Sequence, residues 1–340
     1  MSGTILLTGP NGGIGVGFVT QLLKSPYAIT HSAIYAVRDP EKALALKAAL
    51  KNAPKGHKYL ILPVDFESLA STRAFAADVN SRVKSGSLPP IQALILNAGV
   101  QDLVIEKFTK DGMERTFQIN YLANFQLTLL LLKSMDKQHG RIIYISSTAA
   151  DPNWGSNGRN YTEDQKRTIV TSVENMSRGV EEFPDGSVFR TGQRRYALSK
   201  LLLGGWMYEI QRRLDGDSKL SNISVLGHDP GWIGGTSIIR NGPFLVKALF
   251  VILRIIGFIN SFFSANSLVR TIYRNGSDLL RVCFDQKAFG EYPKALYIDG
   301  SVLYHTPKEA QDVEMQKRLW KESLVCAGIK EGDTVLENWK

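Results

Sequence analysis

The run Thr4-Ile5-Leu6-Leu7-Thr8, followed at once by Gly9-Pro10-Asn11-Gly12-Gly13-Ile14-Gly15 and a helical pattern over 16–23, constrains the fold more than any other part of the chain. It reads as strand, glycine turn and helix. Glycines permit positive φ and close backbone approach to a diphosphate, and the unpaired N–H groups opening the helix attract the anion. Two glycine spacings fit: Gly9, Gly13 and Gly15, or Gly9, Gly12 and Gly15. The turn therefore offers Gly9, Asn11, Gly13, Ile14 and Gly15 as cofactor-binding residues.

Strand-like apolar runs recur at 33–37, 59–64, 93–96, 141–145, 223–226 and 295–298, with longer helical patterns between them. This alternation predicts an α/β fold with a doubly wound parallel sheet and helices on both faces, in three layers. Its ligand crevice lies at the carboxyl ends of the strands. Polar residues do follow the strands: Arg38, Asp65, Asn97-Ala98-Gly99 and Ser146-Ser147. No linker or low-complexity break interrupts the 340 residues, so one domain over 1–340 is expected.

The formal charge of +9 comes from 41 basic and 32 acidic residues. It suits an anionic cofactor or an anionic membrane surface, while the scatter of the basic residues gives no nucleic-acid stripe. Cys283 and Cys326 have neither metal-ligand nor disulfide-framework spacing, so no metal is expected and a reducing compartment is. The first strand begins at the N-terminus, and a cytoplasmic protein is expected.

Tyr196-Ala197-Leu198-Ser199-Lys200 places a phenol and an ammonium on one helix face. A phenol titrates near pH ~10 and becomes a useful acid-base group when a nearby cation stabilises its anion.

Taken together, these motifs resemble the short-chain dehydrogenase/reductase family over nearly the whole chain. The matching residues are Thr8-Gly9-x-x-x-Gly13-Ile14-Gly15, Asn97-Ala98-Gly99, Asn120, Ser147, Tyr196, Lys200 and Pro230-Gly231. The resemblance is to the compact, single-domain branch with a Rossmann-type sheet. It implies that Asn120, Ser147, Tyr196 and Lys200 are catalytic, in a hydride transfer between nicotinamide and a carbonyl. Tyr196 gives the proton and Ser147, rather than the adjacent Ser146, holds the carbonyl oxygen. Lys200 lowers the Tyr196 pKa and binds the nicotinamide ribose, and Asn120 supports a water leading from Lys200 to solvent. Asp65 and Phe66 lie beside the adenine, with Asp65 also a candidate helix N-cap. Pro230, Gly231, Trp232 and Thr236 lie near the nicotinamide.

Cofactor choice rests on charge. An NAD site usually has a carboxylate at the end of the second strand, whereas an NADP site has an arginine. Here Val37 precedes Arg38, so NADP(H) is expected; Asp39 is the counter-indication, because it is placed to pair with Arg38.

Two features depart from the compact pattern. First, 49 positions separate Ser147 from Tyr196, several times the usual separation, which implies an insertion over about 152–193. Its polar composition, with Trp154, Tyr161 and Phe189 as aromatic anchors, reads as a surface excursion beside the substrate mouth, either a lid, one wall of the pocket or a solvated loop. Second, an apolar segment at 244–263 lies within a substrate-cover region over about 231–268. Lys247 and Arg254 interrupt it, leaving a pocket wall, an interfacial helix peripheral to an intracellular membrane, or an oligomer contact as its reading. Both features are similar to those of retinol-dehydrogenase-like, protochlorophyllide-reductase-like and 3-ketosteroid-reductase-like members. The expected function is NADPH-dependent reduction of a ketone or aldehyde, or the reverse alcohol oxidation, on a bulky lipophilic small molecule such as a terpenoid, sterol, retinoid or polyketide. The alternatives are reduction of a conjugated C=C bond and a non-catalytic NADP-binding sensor or scaffold. A homodimer through the helices around Asn120 and Tyr196 is a further expectation from the resemblance.

Overall fold

The apolar runs become β1 (Gly3–Thr8), β2 (His31–Val37), β3 (Lys58–Pro63), β4 (Ile91–Leu96), β5 (Arg141–Ile145), β6 (Ser224–Asp229) and β9 (Tyr297–Asp299). The computed structural model describes residues 2–155, 157–167, 169–181, 184–234, 244–260, 264 and 266–340. A short β10 (Val302–Tyr304) completes one eight-stranded sheet in the order β3-β2-β1-β4-β5-β6-β9-β10. Every pairing is parallel except the β9–β10 hairpin. A separate parallel pair, β7 (Trp232–Ile233) and β8 (Val269–Arg270), was too short to leave a sequence pattern. The strand order reverses between β1 and β4, and the crevice opens there, above their carboxyl ends.

The main helices are α1 (Gly13–Leu22), α2 (Leu44–Leu50), α3 (Leu69–Lys84), α4 (Ala123–Leu131), α5 (Val188–Asp215), α6 (Phe244–Asn260), α7 (Ile272–Phe284) and α8 (Val313–Cys326). Successive strand residues point to opposite faces, so both faces need an apolar cover. Leu6, Ile34, Leu94, Ile142 and Val225 pack in one core with Phe75, Phe125, Trp206 and Trp320 of α3, α4, α5 and α8. Ile5, Leu7, Tyr35, Ile95 and Leu226 pack in the other with Phe18, Leu22, Leu279 and Val282 of α1 and α7. On this second face α1 and α7 meet backbone to backbone: a Cβ at Gly17 would lie 2.1 Å from the Ile272 carbonyl oxygen.

Every residue of α4 is buried, and α8 supplies much of the cover. Phe125 meets Trp320 edge-on with centroids 5.2 Å apart. Tyr121 Oη lies 2.8 Å from Ser323 Oγ, and Gln126 Nε2 donates to the Ala327 carbonyl at 2.8 Å. The face around Asn120 that the resemblance offered to a second copy is thus covered within the chain.

The insertion differs from the expected surface excursion. Residues 188–193 begin α5, and the rest folds into short turns at Asn157–Asn160, Glu163–Arg167 and Val173–Ser177. Val173 and Met176 join the main core. Arg194 ties the segment to α5: Nε and Nη2 donate to Glu181 at 2.5 and 2.9 Å, and Nη1 donates to Asp185 at 3.0 Å and to the Asn160 carbonyl at 2.7 Å. Composition suggested a solvated segment because these charges, which pair inward, count as polar.

In α6, Leu253 is buried and Gly257 packs close to the Arg270 backbone, while Val251, Ile252, Ile255, Phe258 and Ile259 are exposed. Among the described residues no helix is long and apolar enough to cross a membrane.

Candidate active site

A cleft of about 730 Å³ runs across the carboxyl ends of the central strands, a size suited to a large ligand. Gly9 sits at φ +65°, and a Cβ there would lie 3.0 Å from Ala98 Cα; one at Gly15 would lie 2.5 Å from the Gly9 carbonyl oxygen. These two glycines, common to both spacings, fix the turn, whereas a Cβ at Gly12 would make only ordinary contact at 3.5 Å. Helix α1 opens at Gly12 without a side-chain cap, leaving its first N–H groups open to an anion. Gly9, Asn11, Gly13 and Ile14 line the cleft, and Gly15 lies buried beneath them. Asn11 Oδ1 also accepts the Leu46 N–H at 3.0 Å, holding the turn against α2.

The turn is fastened across the switch point. Thr8 Oγ1 accepts the N–H groups of Asn97 and Ala98, both at 2.9 Å, and Asn97 Nδ2 donates to the carbonyls of Thr8 and Gly9 at 2.9 and 3.0 Å. Asn97-Ala98-Gly99 consequently forms a rigid cleft wall.

Ser147, Tyr196 and Lys200 line the same cleft. The choice between the paired serines follows from their neighbours. Ser146 is buried with its Oγ 3.0 Å from Tyr297 Oη, while Ser147 faces the cleft, accepts the Ala149 N–H at 3.2 Å and hydrogen-bonds Tyr196. Burial pushes the Tyr196 phenol well above its ordinary value; the Ser147 hydrogen bond opposes the rise and the Asp229 charge adds to it. Burial lowers the Lys200 ammonium to about 8 against the opposing attraction of Asp229. Lys200 Nζ donates to the Ile145 carbonyl at 2.7 Å and lies 5.7 Å from the tyrosine ring centroid. Tyr196 is held as a neutral acid.

Asn120 lies in a π-helical turn, Gln118–Leu122, of the kind often found at functional sites. It is fully buried and does not line the cleft. Its Oδ1 accepts the Val100 N–H at 2.8 Å, and Nδ2 donates to the Val100 carbonyl and Ser199 Oγ, both at 3.0 Å. Asn120 ties the Asn97–Val100 segment to the residue beside Lys200.

At the far end, Arg38 is 61% exposed and only 3.5 Å from Glu67. Asp39 pairs with Lys42 at 3.1 Å, not with Arg38, so the anticipated competition for Arg38 does not occur. Lys42, which no sequence motif marks, also lines the cleft. Asp65 and Phe66 line this end as well. Burial works to raise the Asp65 carboxyl, but Lys110 at 2.9 Å and the Glu67 N–H bring it below the ordinary value. The N-cap of α3 is Ser68, whose Oγ accepts the Ser71 N–H at 3.3 Å, rather than Asp65.

At the catalytic end, Pro230, Gly231 and Trp232 line the cleft with Leu103, Phe189 and Leu253. Trp232 Nε1 donates to Thr148 Oγ1 at 3.2 Å, and its ring meets Trp154 of the insertion with centroids 6.2 Å apart. Insertion and cover thus meet over the substrate end. Thr236 lies outside the described residues. Among the described residues no cluster of His, Cys, Asp and Glu is arranged to hold a metal.

The short chain dehydrogenase family model matches residues 3–162. A short-chain dehydrogenase of Talaromyces variabilis, iccH, is 34% identical over 361 residues and covers 99% of each chain. Human retinol dehydrogenase 13 is 27% identical over 341 residues, covering 96% of this chain and 85% of its own. The structure of the angucycline C-6 ketoreductase LanV with bound NADP superposes with a TM-score of 0.57 at 17% identity, over 88% of this chain and 95% of that one. With its glycine cradle, its Ser147–Tyr196–Lys200 group and these relatives, the chain belongs to the short-chain dehydrogenase/reductase family of oxidoreductases, which bind a nicotinamide cofactor.

Proposed function

We propose that this protein is an NADP(H)-dependent reductase of a ketone or aldehyde on a bulky lipophilic molecule, reversible toward oxidation of the alcohol. The observation that carries the reading is one cleft with two cations, Arg38 and Lys42, at its adenosine end and an apolar wall around Ser147 and Tyr196 at the other. A 2′-phosphate suits Arg38 and Lys42, and no carboxylate stands at Val37 to hold free ribose hydroxyls. The glycine turn and the start of α1 hold the diphosphate, and Pro230 to Trp232 bound the nicotinamide end. When bound, the reduced nicotinamide supplies a hydride for the carbonyl carbon. Ser147 Oγ donates to the carbonyl oxygen, and Tyr196 Oη transfers its proton there as the alkoxide develops. Lys200 holds positive charge beside the tyrosinate that remains, and Asn120 keeps the Lys200 segment of α5 in register with the Asn97 wall.

A lipophilic substrate is consistent with the Leu103, Phe189, Trp232 and Leu253 lining, and with the substrates named by the retinol dehydrogenase and angucycline ketoreductase relatives. The test is NADPH oxidation across a panel of lipophilic ketones and aldehydes, with Tyr196→Phe as the control. Loss of the proton donor should lower turnover ~10²–10⁴-fold, and retained turnover would remove the reading. The proposal extends to a peripheral membrane contact through the outward apolar face of α6. Cosedimentation with anionic phospholipid vesicles, lost in Val251→Ser/Ile255→Ser/Phe258→Ser, tests it; equal partition of both proteins would refute it.

A further inference from the structure

We infer that Gln193 and Gln101 form a recognition point for a second oxygen on the substrate, about one helical turn from the reacting carbonyl. This rests on the carbonyl reduction proposed above and specifies its substrate. Phe189, Gln193, Tyr196 and Lys200 all line the cleft, and their spacing puts them on one stripe of α5. At 1.5 Å rise per residue, the stripe extends about 10 Å from Tyr196 to Phe189, with Gln193 about 4–5 Å along it. The chamber beyond Tyr196 is thus long enough for a fused-ring skeleton, and its apolar walls include Leu103, Ile233 and Leu253.

Most polar groups nearby are already engaged with one another. Arg115 pairs with Asp102 at 2.7 Å and Glu67 at 2.9 Å. Asn157 Nδ2 donates to the carbonyls of Thr148 and Asp151, both at 2.8 Å. The glutamine pair differs. Gln101 Nε2 donates to Gln193 Oε1 at 2.8 Å, and among the described residues neither the Gln101 carbonyl oxygen nor the Gln193 amide nitrogen has another hydrogen-bond partner. The pair therefore keeps unused accepting capacity on the Gln101 oxygen and unused N–H groups, two on Gln193 and one on Gln101, on residues that line the cleft, and exchanging O and N in both amides preserves free donors and acceptors. A wholly apolar substrate displaces water from both groups without replacing it, whereas a hydroxyl satisfies both and an oxo group satisfies the donor. The substrate class is an apolar polycyclic ketone or aldehyde carrying a second oxygen.

The test compares kcat/KM with NADPH for trans-2-decalone and for its ring-hydroxylated and ring-oxo analogues, in wild type, Gln193→Leu and Gln193→Glu. Wild type should favour both oxygenated analogues about tenfold over the plain ketone, and Gln193→Leu should bring both ratios toward one. A carboxylate only accepts, so Gln193→Glu should keep the preference for the hydroxylated analogue and weaken that for the oxo analogue, for which only the second Gln101 N–H remains. Melting curves identify a variant that has simply unfolded, and the Gln193→Glu pattern is one that unfolding cannot produce. Turnover with equal wild-type ratios, or ratios unmoved in both variants, overturns this inference alone. Absence of NADPH oxidation with all three ketones overturns it together with the proposed carbonyl reduction.

Discussion

Replacing Arg194 with methionine keeps an unbranched apolar stem and removes the guanidinium, which makes six hydrogen bonds to Glu181, Asp185, Thr191 and the Asn160 carbonyl. Removing one partner of a buried ion pair costs ~3–5 kcal/mol, because the other charge is left uncompensated. Here the Arg194 side chain is 7% exposed, but those of Glu181 and Asp185 are 19% and 17% exposed, so water recovers part of the loss. The expected destabilisation is about 2–3 kcal/mol at pH 7, a large fraction of the ~5–15 kcal/mol typical of folded domains. Urea unfolding gives the magnitude, and limited proteolysis within 157–187 shows whether the insertion loosens first. The pH dependence isolates the ionic part. Asp185 is held well below the ordinary carboxylate range, chiefly by Arg194 and then by the Ser187 N–H. A depressed carboxyl contributes stability that is present above its unfolded value of ~3.9 and is lost as pH falls below it. The gap between wild type and Arg194→Met should therefore be full at pH 5–8 and narrow progressively as pH falls below ~4 toward the depressed folded-state value. A gap under ~0.5 kcal/mol at neutral pH, or one that stays constant to pH 3, would refute the ionic tie.

At the adenosine end, Arg38→Ala and Lys42→Ala should each lower kcat/KM for NADPH ~10–100-fold while changing that for NADH less than ~3-fold. An unchanged cofactor preference would remove the phosphate assignment. The exposed Arg38–Glu67 contact is worth at most ~1 kcal/mol, so Arg38→Ala should not alter the melting curve appreciably. Lys200 provides a second pH signature, since its folded-state value of about 8 lies below the ordinary lysine range. The fold disfavours its cationic form, so stability should rise relative to Lys200→Met as pH climbs from about 8 toward ~10. Parallel stability curves for the two proteins over that range would contradict the burial argument.

The residues legible in sequence were those whose chemistry is local. The glycine turn, the strand-end Asn97 and the Tyr196–Lys200 pair each announce themselves within a few positions, and the strand runs are apolar because both sheet faces are covered. Less legible were contacts joining distant segments. The Gln101–Gln193 bond and the packing of Trp320 on Phe125 depend on pairings that no periodicity reveals. Arg194 was obscured for another reason: a charged residue in a polar stretch looks solvated, and only its inward partners distinguish a tie from a surface. The end of the insertion was hard to read similarly, because Phe189 and Gln193 already belong to the helix that carries Tyr196. Lysine roles were legible in kind but not in balance, since the burial that holds Lys200 in place also opposes its charge.

The cover that α8 lays over α4 makes the catalytic end depend on the chain's own C-terminus. Tyr121, Phe125 and Gln126 find their partners in Ser323, Trp320 and Ala327 of the same molecule. The support of the Asn120 turn by these three contacts is intramolecular, so dilution does not remove them. Truncation ahead of Val313 would instead uncover a wide aromatic seam beneath the active site and turn a self-contained molecule into one that seeks partners.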